Sequence, residues 1–204
     1  MEALGVPGSW HIGPSMRPAD LVERLGRHGF VDLDASEPGM AADLDALPRT
    51  VPHPDGFQVQ RVRGAGRLAQ FRGVLAAGFG EGEPEAAWVC AMYARIGLGD
   101  GTAWRHYLGI LDGTPVSTTS LFFAAGVAGV YFVSTIPGQR RRGIGAATTL
   151  AALHAARAAG YRRAVLTSSS MGYDVYRGLG FVEHCRIAVP EYRPAGTPGA
   201  SAAA

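Results

Sequence analysis

The stretch VAGVYFVSTIPGQRRRGIGAATTLAALHAARAAG, residues 127–160, decides the fold. Val127 to Val133 is apolar and rich in β-branched and aromatic types, as a buried strand requires. From Gly145 the pattern changes to an alanine-rich helix that carries Leu150 and Leu153 and closes at Gly160. Between them lies a polar turn, Gln139 to Ala146. The first amides of the helix have no intrahelical partner there, and the helix dipole makes that end partly positive. Glycine at 143 and 145 lets a bulky anion approach the backbone without meeting a Cβ. The junction therefore suits a diphosphate, against a plainer reading in which the arginines are solvated and the glycines only close-pack the helix.

Two commoner phosphate turns fit poorly. A P-loop needs lysine followed by Ser or Thr, and a dinucleotide turn needs a third small residue with an acid about 20 positions on. The segment has neither.

Working outward, Trp104 to Leu111 and Val116 to Ala124 read as strands joined at Asp112 and Gly113, and Ala125 with Gly126 makes a second reversal into Val127 to Val133. Upstream, FQVQRV after Gly56 alternates as a half-buried strand does, while Leu68 to Ala77 and Glu83 to Ile96 read as helices. Downstream, RRAVLTS is a strand, Met171 to Leu179 a short helix and FVEHCRIAV a strand. Strand, helix and strand across the glycine turn imply a parallel crossover.

Composition narrows the classes. The chain has 204 residues, 47% of them hydrophobic and 18% charged, enough apolar material for a core. A net charge of +2 is too small for a protein living on nucleic acid, and no aromatic platform accompanies Arg140 to Arg142. Cys90 and Cys185 match no metal-ligand spacing, and so few thiols read as a reduced cytoplasmic protein. The start lacks the charged and apolar regions of an export signal. The uncharged run from Leu121 to Val133 is shorter than the ~20 residues of a spanning helix, so neither membrane nor metal is expected.

Arg140, Gly143 and Gly145, with Pro137 and the strand before them, resemble the (Gln/Arg)-x-x-Gly-x-(Gly/Ala) motif of the GCN5-related N-acetyltransferases (GNAT). The resemblance covers roughly Phe57 to Tyr192, and the element order supports it independently. It implies an α/β fold with a mixed, mostly antiparallel central sheet flanked by helices. It also implies acetyl-coenzyme A as the acyl donor, held by Arg140, Arg141, Arg142, Gly143, Ile144, Gly145 and Ala146, with backbone groups of Val133 and Thr135 along the pantetheine arm.

The same resemblance places Tyr176, in MGYDVYRGLGF, as the general acid, with Tyr173 one turn earlier as backup donor or pocket wall. A phenol of pKa near ~10 is protonated at neutral pH. An asparagine usual six residues before that tyrosine is Ser170 here, which keeps one hydrogen bond toward the cofactor. Many members carry a glutamate on the strand before the turn, yet no acid occurs here from Gly113 to Tyr173. His106 is a candidate base because its reference pKa of ~6.5 suits proton acceptance. Ser120, Ser134 or Ser168 could instead order a relaying water.

The expected activity is transfer of an acetyl group to a primary amine of a small-molecule acceptor by direct attack in a ternary complex. The alternative is a non-catalytic acyl-CoA sensor or scaffold. The expected division is an N-terminal extension to residue 55, an acetyltransferase domain over 56–193 and a flexible tail over 194–204, in a monomer or homodimer. Pro48 to Gly56, packing three prolines, reads as a linker. Before it, a helix around Leu21 to Leu25 is followed by Gly29, Phe30, Val31 and Asp32, resembling Gly180, Phe181, Val182 and Glu183. Either a partial half-repeat or the common use of Gly and Phe after a helix accounts for that likeness.

Overall fold

The two glycine-bearing reversals turn the chain as their residues demand. Asp112 and Gly113 have φ of 48° and 81°, and Ala125 and Gly126 have 49° and 77°. Consecutive positive φ values of this kind match the right-handed twist of paired strands. The computed structural model describes residues 8–32, 36–80 and 82–194. The outer part of the expected tail, 195–204, lies outside them.

In chain order, strand β1 (Gly8–Ser9) is followed by helix α1 (Leu21–Gly26) and strands β2 (Phe30–Val31) and β3 (Ser36–Asp43). After the linker come β4 (Phe57–Arg61), helices α2 (Ala65–Phe79) and α3 (Glu83–Ile96), and strands β5 (Trp104–Leu111), β6 (Thr114–Ala124) and β7 (Val127–Thr135). The chain then forms α4 (Ile144–Ala158), β8 (Arg163–Thr167), α5 (Tyr173–Gly178), β9 (Val182–Ala188) and β10 (Glu191–Tyr192). Seven strands form a mixed sheet in the order β4-β5-β6-β7-β8-β3-β9. Pairing is antiparallel from β4 to β7 and parallel between β7 and β8, the crossover expected from the strand–helix–strand reading.

The chain divides into two compact units. The larger comprises Ala41–Leu166 and Asp174–Val182; the smaller takes the described residues up to Met40, Thr167–Tyr173 and those from Glu183 onward. The division passes between Met40 and Ala41, within β3, and not through the Pro48–Gly56 linker. Ser36 to Asp43 lies in the strand order between β8 and β9, so the segment before the linker supplies part of the main sheet. In the smaller unit, β1, β10 and β2 form a separate antiparallel sheet with Tyr192 opposite both Gly8 and Phe30.

Both copies of the expected repeat have the same local geometry. Six-residue helices α1 and α5 are each followed within three residues by a glycine with positive φ, 81° at Gly29 and 95° at Gly180, and then by a strand. Their strands part company: β2 pairs with β10, whereas β9 is in the main sheet.

The core of the larger unit has two characters. On the α2–α3 face, Phe71, Val74, Leu75, Cys90 and Tyr93 pack with Leu108 and Ile110. Toward α4, where Ile144 packs with Leu111 and Val116, the contact also includes hydroxyls. Ser117 and Thr119 of β6 face Thr148 and Thr149 of α4, with Oγ–Oγ1 at 2.5 Å and Oγ1–Oγ1 at 3.4 Å. Each helix threonine also donates to the carbonyl four residues back, Ile144 and Gly145, at 2.9 Å. The rest of the buried run Ser117 to Ser120 is satisfied elsewhere: Thr118 Oγ1 donates to the Phe132 carbonyl, Thr119 Oγ1 to the Thr118 carbonyl, and Ser120 Oγ pairs with His106 Nδ1. Gly109 belongs to the same seam, because a Cβ there would meet Thr148 Oγ1 at 2.6 Å and the Phe57 ring at 2.8 Å.

Candidate functional site

The turn before α4 presents a row of free donors. Gln139 and Arg140 amides bond to the carbonyls of Ile136 and Pro137, and the ladder resumes only with the Ala147 amide on the Gly143 carbonyl. Among the described residues, the amides of 141–146 therefore have no backbone acceptor. No side chain caps the helix either, since its N-cap is Gly143. Arg141 holds a φ of 59° and Gly143 one of 76°, which bends this stretch of backbone into a concave turn of the kind that takes anions.

The two glycines serve packing as well as approach. A Cβ on Gly143 would collide with the Pro52 carbonyl oxygen, so the linker is seated on the side that glycine leaves open. A Cβ on Gly145 would stand 3.1 Å from Thr135 Oγ1, holding α4 close to β7.

Arg140 is committed elsewhere. Its Nε donates to the Thr135 carbonyl at 3.1 Å and its Nη2 to the Gly78 carbonyl at 2.7 Å. It thereby ties the last turn of α2, one of whose orphan carbonyls it satisfies, to the end of β7. Arg142 hydrogen-bonds the side-chain oxygen of Gln139 through Nη1. Arg141 makes no hydrogen bond among the described residues.

Leading into this turn, β7 has one free side. Its registered pairs with β8 are Ala128 with Ala164 and Gly129 with Val165, and none follow. On its other side it stays paired with β6 to Thr135, through a bulge at Phe132, whose φ is 51°. Thr118 Oγ1 donates to the Phe132 carbonyl at 2.8 Å and pins the bulge. Val133 and Thr135 thus lie on a length of strand with β6 on one side and no registered β8 partner on the other.

Beyond the turn opens a cleft of about 610 Å³, within the usual range of ligand sites. Its walls are Val51, Pro52 and His53 of the linker, Arg141, Arg142, Gly143 and Ala146, and Asp174, Val175, Gly178 and Leu179 around α5. The linker wall was not visible as function in the sequence. Its one signal is the Pro52-His53-Pro54 run, which restricts the backbone on both sides of the histidine.

Tyr176 sits on α5, half-buried, with its ring 5.9 Å from that of Phe181 in an edge-on contact. Burial pushes its phenol up to about 12, so it holds its proton throughout the neutral range. Ser170 and Tyr173 fall in the smaller unit: Ser170 is exposed and Tyr173, half-buried, begins α5. The neighbouring Ser169 accepts the Gly172 amide at 3.3 Å and shapes the turn before the helix.

His106 lies deep in the α2–α3 face with 1% of its surface exposed. Its Nδ1 is 2.8 Å from Ser120 Oγ, while Nε2 is buried without a partner. The Tyr93 ring lies 3.8 Å away and Phe71 5.5 Å away. Burial, with the Arg61 charge second, lowers its pKa to about 4. The imidazole is accordingly neutral at physiological pH and a weak proton acceptor. Ser134 Oγ, another relay candidate, is buried against Gly78 without a hydrogen-bond partner.

Among the described residues no three His, Cys, Asp or Glu side chains converge to hold a metal ion, and no helix is long and apolar enough to cross a membrane.

No curated protein sequence matches the chain. Solved structures share its fold. A GCN5-related N-acetyltransferase from Kribbella flavida matches with a TM-score of 0.71 at 24% identity, over 92% of this chain and 68% of that one. Another, from Sphaerobacter thermophilus, gives 0.67 at 20% identity over 91% of this chain, which spans only 59% of that protein. A tandem GNAT protein from the clavulanic acid biosynthesis pathway gives 0.60 at 15%, over 94% and 65%. The model of the acetyltransferase (GNAT) family matches residues 71–181, from within α2 to the residue before β9. That match spans more than half of the sequence and includes the free-donor turn with the strand leading into it, and the chain therefore belongs to the acetyltransferase (GNAT) family.

Proposed function

We propose that the chain transfers an acetyl group from acetyl-coenzyme A to the primary amine of a small-molecule acceptor. One observation carries the reading: the unpaired amides of 141–146 follow a length of β7 with a free side, across the short turn Pro137–Gln139. An extended arm ending in two linked phosphates fits these two successive features, with the strand taking the arm and the turn the phosphates. When bound, the coenzyme supplies an activated acyl thioester.

The chain's own residues then divide the work. Backbone groups of Val133 and Thr135 align the arm, and the amides from Arg141 to Ala146 hold the diphosphate. Arg140 acts indirectly by fixing the end of β7 against α2. Tyr176 Oη holds the proton taken up by the departing sulfur, and its raised pKa keeps that proton in place until charge develops. His106, neutral and shut among rings, fixes β5 to β6 through Ser120, which leaves acceptor deprotonation to solvent. Direct attack is favoured over a covalent enzyme intermediate, because burial pushes the Cys90 thiol up to about 11 and leaves almost no thiolate.

A second reading, an acyl-CoA sensor without turnover, is favoured by that same weak His106 and by the absence of acids from Gly113 to Tyr173. Thiol release from acetyl-coenzyme A, measured with a panel of amines, separates the two. The enzyme reading expects release with at least one amine, and Tyr176→Phe lowering kcat by about 10²-fold or more with the coenzyme Kd unchanged within about threefold. Tight binding with no release across the panel establishes the sensor.

A further inference from the structure

The Pro48–Gly56 segment is more than a connector. It is anchored to α4 at two places: His154 Nε2 lies 3.0 Å from the Pro48 carbonyl, and the Pro52 carbonyl occupies the space beside Gly143. Val51, Pro52 and His53, at and beside the second anchor, line the open cleft, and Pro52 and Pro54 fix the backbone on either side of His53. The His53 ring is held in turn, its Nδ1 3.1 Å from the Pro54 carbonyl and its centroid 5.4 Å from that of Phe57. His53 therefore contributes to the cleft wall at a fixed backbone position, with its ring set against Phe57.

The charges around the cleft are unequally placed. Arg141 and Arg142 stand on the side nearest the amide row, and Asp174 on the α5 side. Arg141 has no side-chain acceptor among the described residues, and Arg142 keeps donors beyond the one given to Gln139. A ligand carrying a phosphate distinct from the diphosphate is thus directed toward the arginines and away from α5.

Resting on the coenzyme reading above, we propose that the linker is the nucleotide wall of the site: His53 supports the purine, and Arg141 with Arg142 selects coenzymes that carry the ribose 3′-phosphate. The amide row is indifferent to that phosphate, since it serves the diphosphate common to acetyl-coenzyme A and its 3′-dephospho form. Selectivity for the ribose phosphate therefore resides in the two arginine side chains, and added affinity for the nucleoside in the linker. Neither the short motif around Gly143 nor Tyr176 encodes it.

The test is calorimetric titration of the full chain with acetyl-coenzyme A, its 3′-dephospho form and acetyl-4′-phosphopantetheine, which lacks the whole nucleotide and keeps one of the two linked phosphates. Wild type should bind the dephospho form at least about tenfold more weakly than acetyl-coenzyme A. Arg141→Ala with Arg142→Ala should bring the two to within about twofold. His53→Ala should weaken both nucleotide forms by about the same factor and leave acetyl-4′-phosphopantetheine unchanged. Equal wild-type affinity for the phospho and dephospho forms overturns the selectivity while leaving the coenzyme reading intact. Equal weakening of all three ligands by His53→Ala, or of none, overturns the linker's role. Failure of wild type to bind any of the three overturns the coenzyme reading itself.

Discussion

The carbonyl oxygen of Pro52 stands where a side chain on Gly143 would have to be. A residue 91 positions earlier in the chain therefore sets the identity of the motif glycine as firmly as any ligand does. Alanine at 143 would also hold a left-handed φ of 76°. Gly143→Ala is expected to lower unfolding stability by more than the ~1–2 kcal/mol of the backbone strain alone, because the linker must also move. Urea denaturation of the two proteins without ligand checks this; equal midpoints would show that the linker yields freely.

Arg140 makes its two backbone contacts at the ends of α2 and β7, so its removal should be felt in stability before affinity. Arg140→Ala is expected to cost about 1–2 kcal/mol in unfolding free energy and to change the coenzyme Kd less than about threefold. A thermal melt and a titration on the same sample suffice. A large loss of affinity at unchanged melting temperature would make Arg140 a direct phosphate ligand instead.

His106 gives stability a pH dependence of known sign. Its folded pKa of about 4 lies below the unfolded value of ~6.5, so between these limits the unfolded chain binds a proton that the folded chain refuses. The stabilisation is complete above pH ~6.5 and is lost as pH falls through 4, to a maximum of about 3 kcal/mol. Melting temperatures of wild type and His106→Gln across pH 4 to 7.5 should converge as the pH falls. Parallel curves would show that the ring meets solvent.

Strand β3 lies between β8 and β9 in the sheet order, so it has neighbours on both sides. A chain beginning at residue 48 would leave two unpaired edges where one strand had been. Such a truncation should be insoluble or lack a cooperative melt. A folded, coenzyme-binding product would place the self-sufficient domain after the linker.

How much of this was legible in the sequence depends on how local the cause is. The Asp112–Gly113 and Ala125–Gly126 reversals depend on their own φ values, and β5 and α3 begin and end where the pattern alone puts them. Ser36 to Asp43 was opaque, because Pro38, Gly39 and two alanines give it almost no intrinsic strand preference. Its extended form comes from the strands on either side. The site divides the same way. The free amides follow from a helix starting at a glycine, whereas the diversion of Arg140, the shutting-in of His106 and the linker wall all arise from contacts between residues far apart in sequence.

The hydroxyl seam between α4 and β6 has one more consequence. Leucines would let a helix slide or roll over a sheet at little cost, since dispersion contacts are nearly interchangeable. The hydrogen bond between Ser117 and Thr148 is directional, so a small rotation of α4 would break it. Its opening turn is thereby immobilised before any anion arrives, and the entropy of aiming those donors is spent during folding, not during capture. Encounter alone should then set the rate of uptake, with no slow isomerisation preceding it.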